Sequence, residues 1–270
     1  MPSTEPPVVR LRDAALTRRA HRLWGHLDLD LRAGEFITVL GANGSGKTSL
    51  VSVVLGLQAL SRGTVEVLGG PAGRARRRVG YVPQQRLIPA GTAMRGRDLV
   101  TLGVDGHRFG PRLPDRARTR AVDDAIEAVG AAAFADRPAG LLSGGEQQRL
   151  RVAQALVGDP RLLLCDEPLI SLDLHHQAAV AQLVERRRRT HGTAVLFVTH
   201  DVNPVLSFTD RILYLAAGQH RLGPPEEVLT STVLSGVYGA PVDVADIHGR
   251  IVVLGVPDDS HHPALTEVRA

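Results

Sequence analysis

Gly41-Ala42-Asn43-Gly44-Ser45-Gly46-Lys47-Thr48 fits the phosphate-binding pattern G-x-x-x-x-G-K-[ST]. The glycines let backbone N–H groups turn inward around phosphate oxygens, and the helix that follows adds its positive end to the same spot. Lys47 would reach the β- and γ-phosphates of a nucleotide and Thr48 would ligate Mg²⁺. Composition makes the same point independently: of 32 Lys plus Arg residues, Lys47 is the only lysine. A guanidinium is a planar fork and an ammonium a compact point charge, so a tight phosphate cradle separates them.

Three further stretches carry matching chemistry. Asp166-Glu167 follows the apolar run Leu162-Leu163-Leu164-Cys165. Two carboxylates at the C-terminal end of a buried strand suit a Mg²⁺-organising Asp166 and a Glu167 that polarises an attacking water. His200 closes a second such run, Val195 to Val198, and could contact a γ-phosphate. Ser143-Gly144-Gly145-Glu146 opens a helix as a capping box, with two glycines in its first turn. Bare N–H groups there suit a phosphate; the alternative is a capped helix whose glycines allow close packing.

The elements that must hold these residues are legible from periodicity. Phe36 to Leu40 reads as a buried strand before the loop, and Ser49 to Leu55 as a helix stopped by Gly56. Val8–Leu11, Leu27–Leu31 and Thr64–Leu68 read as strands of a small antiparallel sheet. Val79-Gly80-Tyr81-Val82 ends at Pro83 and presents Gln84. Asp115 to Val129 is helical, with Val122, Ile126 and Val129 on one side. Leu162–Cys165 reads as a central parallel strand and Arg211–Leu215 as one more strand. A helix near Glu226–Leu229 and a late strand, Ile251–Leu254, complete the pattern. The organisation expected is α/β: a nucleotide-binding core with β subdomain (1–85 and 158–217), a helical subdomain (86–157) and a C-terminal extension (218–270).

An apolar content of 43% supports a sizeable core, built from Leu, Val and Ala because aromatics make up 3%. Two arginine runs, 74–78 with an alanine inside it and 186–189, contribute to the net charge of +4. They read either as a solvated face or as an attraction to anionic membrane or nucleic acid. Cys165 stands alone, so an internal disulfide is excluded. The N-terminus has no signal-peptide core and no run of about 18 apolar residues occurs, so a membrane role is expected to come through a partner. His248, His261 and His262 invite a metal-sensor reading, against which stand the adjacency of the last two and the lack of a nearby cysteine.

In this order the motifs resemble the ATP-binding subunit of an ABC transporter, from Val8 to about Leu254. The resemblance makes 41–48 the Walker A, Gln84 the Q-loop glutamine, Leu142-Ser143-Gly144-Gly145-Glu146 the signature with Glu146 where many members have Gln, and Leu162–Glu167 the Walker B. Ser171-Leu172-Asp173 becomes the D-loop and His200 the switch histidine. It implies a P-loop NTPase core with an antiparallel β subdomain and an inserted helical subdomain. It implies ATP held by 41–48 with Thr199, and catalysis by Glu167, His200, Lys47 and Gln84. Mg²⁺ would be held by Thr48, Gln84 and Asp166. The signature would meet the partner chain's ATP, and Asp173 would serve dimer communication. Gln84 and the segment from about Leu87 to Thr101 would carry motion to a permease. Where the family places an adenine-stacking aromatic, this chain has Arg18, with Trp24 as a second candidate.

DEPLISLDLHHQ, THDVNPVL and VYGAPVDVADIHGRIVVLG are more narrowly similar to the ATPases of manganese and zinc importers; those of iron-chelate and haem importers are close. The resemblance implies a head-to-tail homodimer with ATP, integral-membrane permease subunits and an extracytoplasmic solute-binding protein. It places the chain peripherally at the cytoplasmic face of the membrane, with no nucleic acid expected. Two rivals are an ABC ATPase acting on nucleic acid, which usually carries two ATPase halves or a long coiled coil, and a non-hydrolysing nucleotide-binding regulator, against which Glu167 and His200 count.

Overall fold

The computed structural model describes residues 5–19, 21–84, 87–106, 115–170 and 172–255. Strands β1 (Val9–Arg18) and β2 (His21–Leu31) form an antiparallel hairpin. β3 (Phe36–Gly41) then runs into α1 (Lys47–Val54). β4 (Arg62–Val67) and the short β5 (Gly70–Pro71) join the hairpin in a four-stranded sheet of order β2-β1-β4-β5. After β6 (Val79–Val82) come three helices: α2 (Gly96–Asp105), α3 (Arg116–Ala128) and α4 (Gly144–Leu156). β7 (Leu162–Asp166), α5 (Leu174–His191), β8 (Ala194–Val198) and β9 (Arg211–Ala216) restore the α/β pattern. The described chain ends in β10 (Gln219–Gly223), α6 (Pro225–Val228), α7 (Ser231–Tyr238) and a hairpin of β11 (Asp243–Ile247) and β12 (Arg250–Leu254).

The second sheet has the order β10-β9-β3-β8-β7-β6. Its strands are parallel except β10, which pairs antiparallel with β9. β7 and β8 are buried along their whole length, which is why they read as unbroken apolar runs. Alternate residues face opposite layers. Phe36, Leu163, Cys165, Val195 and Phe197 pack toward the helical side, with Val122, Ile126 and Leu150. Ile37, Val39, Leu164 and Val198 pack with α1 and the antiparallel sheet.

β1 and β2 are longer than their periodicity suggests. Asp13 (φ 43°) and His26 (φ 53°) take left-handed backbone at irregularities in the pairing, which shifts the alternation. Their side chains meet there, Nδ1 to carboxylate at 2.7 Å. β10, α7 and β11 give no clear pattern in sequence because each is short and partly exposed. The arginines of 186–189 are mostly not a free charged face. Arg186 donates to the Ala128 carbonyl at the end of α3 (2.8 Å) and Arg187 pairs with Asp159. Arg188 joins Glu185 to the Gly34 carbonyl (2.9 Å to the latter). Arg186 and Arg189 are exposed, the latter over 76% of its side chain.

Candidate active site

The chemistry-bearing residues converge because their strands are parallel neighbours. The loop 41–48 follows β3, Gln84 follows β6, Asp166 ends β7 with Glu167 next, and His200 follows β8. The C-terminal ends of parallel strands share one edge of a sheet, so residues from four distant stretches meet there.

The loop is shaped by backbone that only glycine tolerates. Gly41 has φ 146°, and a Cβ on it would stand 1.9 Å from the Leu215 carbonyl oxygen. Gly46 has φ 96°, and its Cβ would lie 2.8 Å from Nε1 of Trp24. Trp24 is fully buried beneath the loop. It supports Gly46 and offers no face to a base, so it is not an adenine platform. Arg18 sits exposed at the end of β1, in the hairpin that carries Trp24.

Lys47 Nζ is buried and bonds to the carbonyls of Gly41 (2.7 Å) and Ala42 (3.0 Å). Burial pushes its ammonium below the ordinary lysine range, against the pull of Glu167 and Asp166. Among the described residues, Ser45 Oγ is buried without a hydrogen-bond partner. A desolvated cation and an orphaned hydroxyl, beside N–H groups at the start of α1, form a cradle for a multiply charged anion.

Thr48 Oγ1 donates to Asp166 Oδ1 at 3.1 Å. Burial raises the Asp166 carboxyl above its ordinary range, opposed by the Thr48 bond and Lys47 and reinforced by Glu167. A carboxylate disfavoured in this way, next to a hydroxyl, fits a divalent cation, whose charge would reverse the penalty. Gln84 Nε2 donates to Glu167 Oε2 at 3.3 Å, which brings the third expected Mg²⁺ residue to the same corner. Glu167 has φ 50° while its N–H still bonds the Val198 carbonyl at 2.9 Å. Left-handed backbone at a non-glycine residue costs about 1–2 kcal/mol, and such strain clusters at functional sites. Cys165, next to Asp166, is fully buried and its thiol is pushed up by burial, so it is packing rather than chemistry.

His200 is exposed beyond β8. Thr199 is buried: its N–H bonds the Val39 carbonyl (3.1 Å), and its hydroxyl donates to Asp201 O (2.8 Å). Asp201 in turn accepts from Asn203, whose amide bonds Ile251 of β12 in both directions, at 3.0 and 2.8 Å. Sequence reading missed this tie between the His200 loop and the tail hairpin.

The signature turn takes the expected cap. Ser143 Oγ accepts from the Glu146 N–H (3.3 Å), and Glu146 Oε2 accepts from the Ser143 N–H (2.7 Å). Leu142 is buried and its carbonyl accepts from Gln147 (3.1 Å). Gln147 Oε1 also accepts the Ile88 N–H (2.9 Å), linking this helix to the segment after Gln84. Gly145 is buried against His176 of α5, the close-packing alternative at that position. Asp173 caps α5 by accepting the His176 N–H (2.9 Å). Ser171, His261 and His262 lie outside the described residues.

Comparison with known proteins gives concordant matches. A family model described as ABC transporter matches residues 25–170. The hemin import ATP-binding protein of Rhodococcus jostii is 36% identical over 249 residues, 89% of this chain and 83% of its own. The zinc import ATP-binding protein of Yersinia enterocolitica is 37% identical over 258 residues, 91% and 96% of the two chains. Among solved structures, an inward-facing ABC transporter described as of metal-chelate type aligns with TM-score 0.77 and 26% identity, covering 91% of this chain and 95% of that one. A dimeric ATP-binding cassette bound to ADP and phosphate aligns with TM-score 0.68 and 27% identity, covering 80% and 98%.

Proposed function

The chain belongs to the ABC transporter ATP-binding family and is an ATPase; from that premise we propose that it works as a head-to-tail dimer that drives import of a metal species through membrane permease subunits. The convergence of Lys47, Thr48, Gln84, Asp166, Glu167 and His200 at one sheet edge carries the reading. The loop 41–48 holds the phosphates of ATP, with Lys47 exchanging its carbonyl partners for phosphate oxygens. Thr48, Gln84 and Asp166 would hold Mg²⁺, which when bound neutralises phosphate charge. Glu167 orients and deprotonates the attacking water, and Gln84 holds its carboxylate in place. His200 contacts the γ-phosphate, and the partner chain's 142–146 turn closes the site from the other side. Positioning and electrostatics supply the rate enhancement, as in other phosphoryl transfers.

The sequence division belongs to this reading: core in 1–85 and 158–217, helical subdomain in 86–157, extension in 218–270. Among the described residues no helix is long and apolar enough to cross a membrane. A peripheral place on the cytoplasmic face, held by permease subunits and fed by a solute-binding protein, accords with that. For the transported species, zinc or manganese follows from the three segments of narrower similarity and from the zinc-import relative. The hemin-import relative favours a metal chelate as the second reading. The test is ATP hydrolysis by the ATPase–permease complex in liposomes, with solute-binding protein loaded in turn with zinc, manganese and haem. Stimulation by a metal ion supports the first reading. A response to haem alone moves the substrate to a chelate, and a response to none of them sets metal import aside.

A further inference from the structure

Gly145 has no room for a side chain, and the reason lies within its own chain. A Cβ there would stand 2.7 Å from Cδ2, 3.0 Å from Cγ and 3.1 Å from Nε2 of His176. The other side of the same imidazole is engaged: Nδ1 lies 2.8 Å from both carboxylate oxygens of Asp173. The backbone N–H of His176 holds Asp173 Oδ1 as well, at 2.9 Å. One ring therefore spans from the first turn of the signature helix to the residue that caps α5.

We propose that His176 is a positioning residue for ATP hydrolysis, a strut that sets the signature turn and Asp173 at a fixed separation. The inference rests on the head-to-tail reading above, in which the signature turn meets the nucleotide of the partner chain and Asp173 serves dimer communication. Donors at a helix start act only when placed to within a fraction of an ångström of a phosphate. The Asp173 side chain is 65% exposed, so its place at the cap depends on the hydrogen bonds it accepts. The imidazole supplies one of them through Nδ1 and stacks its far edge on Gly145, so a shift of one group carries the other. Its side chain is 34% exposed, so the ring contributes little to the core and its removal leaves the fold standing.

The test is steady-state hydrolysis by the full chain. In His176→Ala, kcat is expected to fall about tenfold or more while KM for ATP changes less than about twofold, because 41–48 still holds the nucleotide. His176→Asn, whose amide N–H can reach Asp173, should recover most of kcat. Gly145→Ala should lose activity, and adding His176→Ala should restore part of it by removing the clash. Unchanged kcat in His176→Ala, or equal losses in the Ala and Asn variants, overturns the strut. In a Glu167→Gln background, size-exclusion with MgATP separates the two readings. No dimer with His176 present defeats the head-to-tail arrangement itself. A dimer equally abundant with and without His176→Ala defeats the strut alone.

Discussion

Thr48 and Asp166 meet hydroxyl to carboxylate at 3.1 Å, joining the first turn of α1 to the end of β7 across 118 positions of sequence. The bond leaves the balance at Asp166 unfavourable to charge, since burial outweighs it. A raised native-state value means the folded chain holds that proton more tightly than the unfolded chain. This contribution to stability is fully present below the ordinary carboxylate range and is lost as pH rises through the raised value. Asp166→Asn should therefore raise the thermal midpoint of the nucleotide-free chain at neutral pH, with the difference shrinking under acid conditions, while hydrolysis is abolished. Fluorescence of Trp24, the sole tryptophan, reports the unfolding. A lower midpoint at neutral pH would contradict the assignment.

Lys47 spans two carbonyls inside the loop, at 2.7 and 3.0 Å. Lys47→Ala and Lys47→Arg should both lower turnover by about a hundredfold or more, because a planar fork does not fit where a point charge does. Turnover and ATP affinity are measured together. An Arg variant with unaltered turnover would remove the significance of the single lysine.

Glu167→Gln keeps the Gln84 contact and removes the base, so hydrolysis should fall by about two orders of magnitude or more. ATP is then bound without being consumed, and the dimer should accumulate on size-exclusion with MgATP. A variant that binds ATP at saturation yet elutes as a monomer argues against the sandwich.

Asn203→Leu removes three side-chain hydrogen bonds, two to Ile251 and one to Asp201. The Ile251 N–H and carbonyl lose their partners, a cost of about 1–3 kcal/mol in local stability. Hydrogen exchange at the Ile251 amide should accelerate, and turnover should fall with it if the tail hairpin steadies the His200 loop. Unchanged exchange would mean other contacts hold the hairpin.

The site was legible where chemistry is local. A glycine pattern with one lysine, two acids at the end of an apolar run and a capping box each depend on neighbours within a few residues, and short-range sterics and hydrogen bonding dictate them. The parallel strands were legible as well, because burial on both faces forces unbroken apolar runs such as Leu162 to Cys165. What sequence left open was the packing around these residues. Trp24 looked like a platform for a base, and only packing put it under Gly46. Gly145 looked bare for a phosphate, and only the docking of α5 on α4 set His176 against it. The run 186–189 looked like surface charge until its guanidiniums met carbonyls of α3 and of Gly34. Local pattern determined which residues carry the chemistry of phosphate and water. Which of them touch was decided by the order of strands in the sheet and by helix packing, because contacts between distant segments depend on burial and shape across the whole chain, which no local window contains.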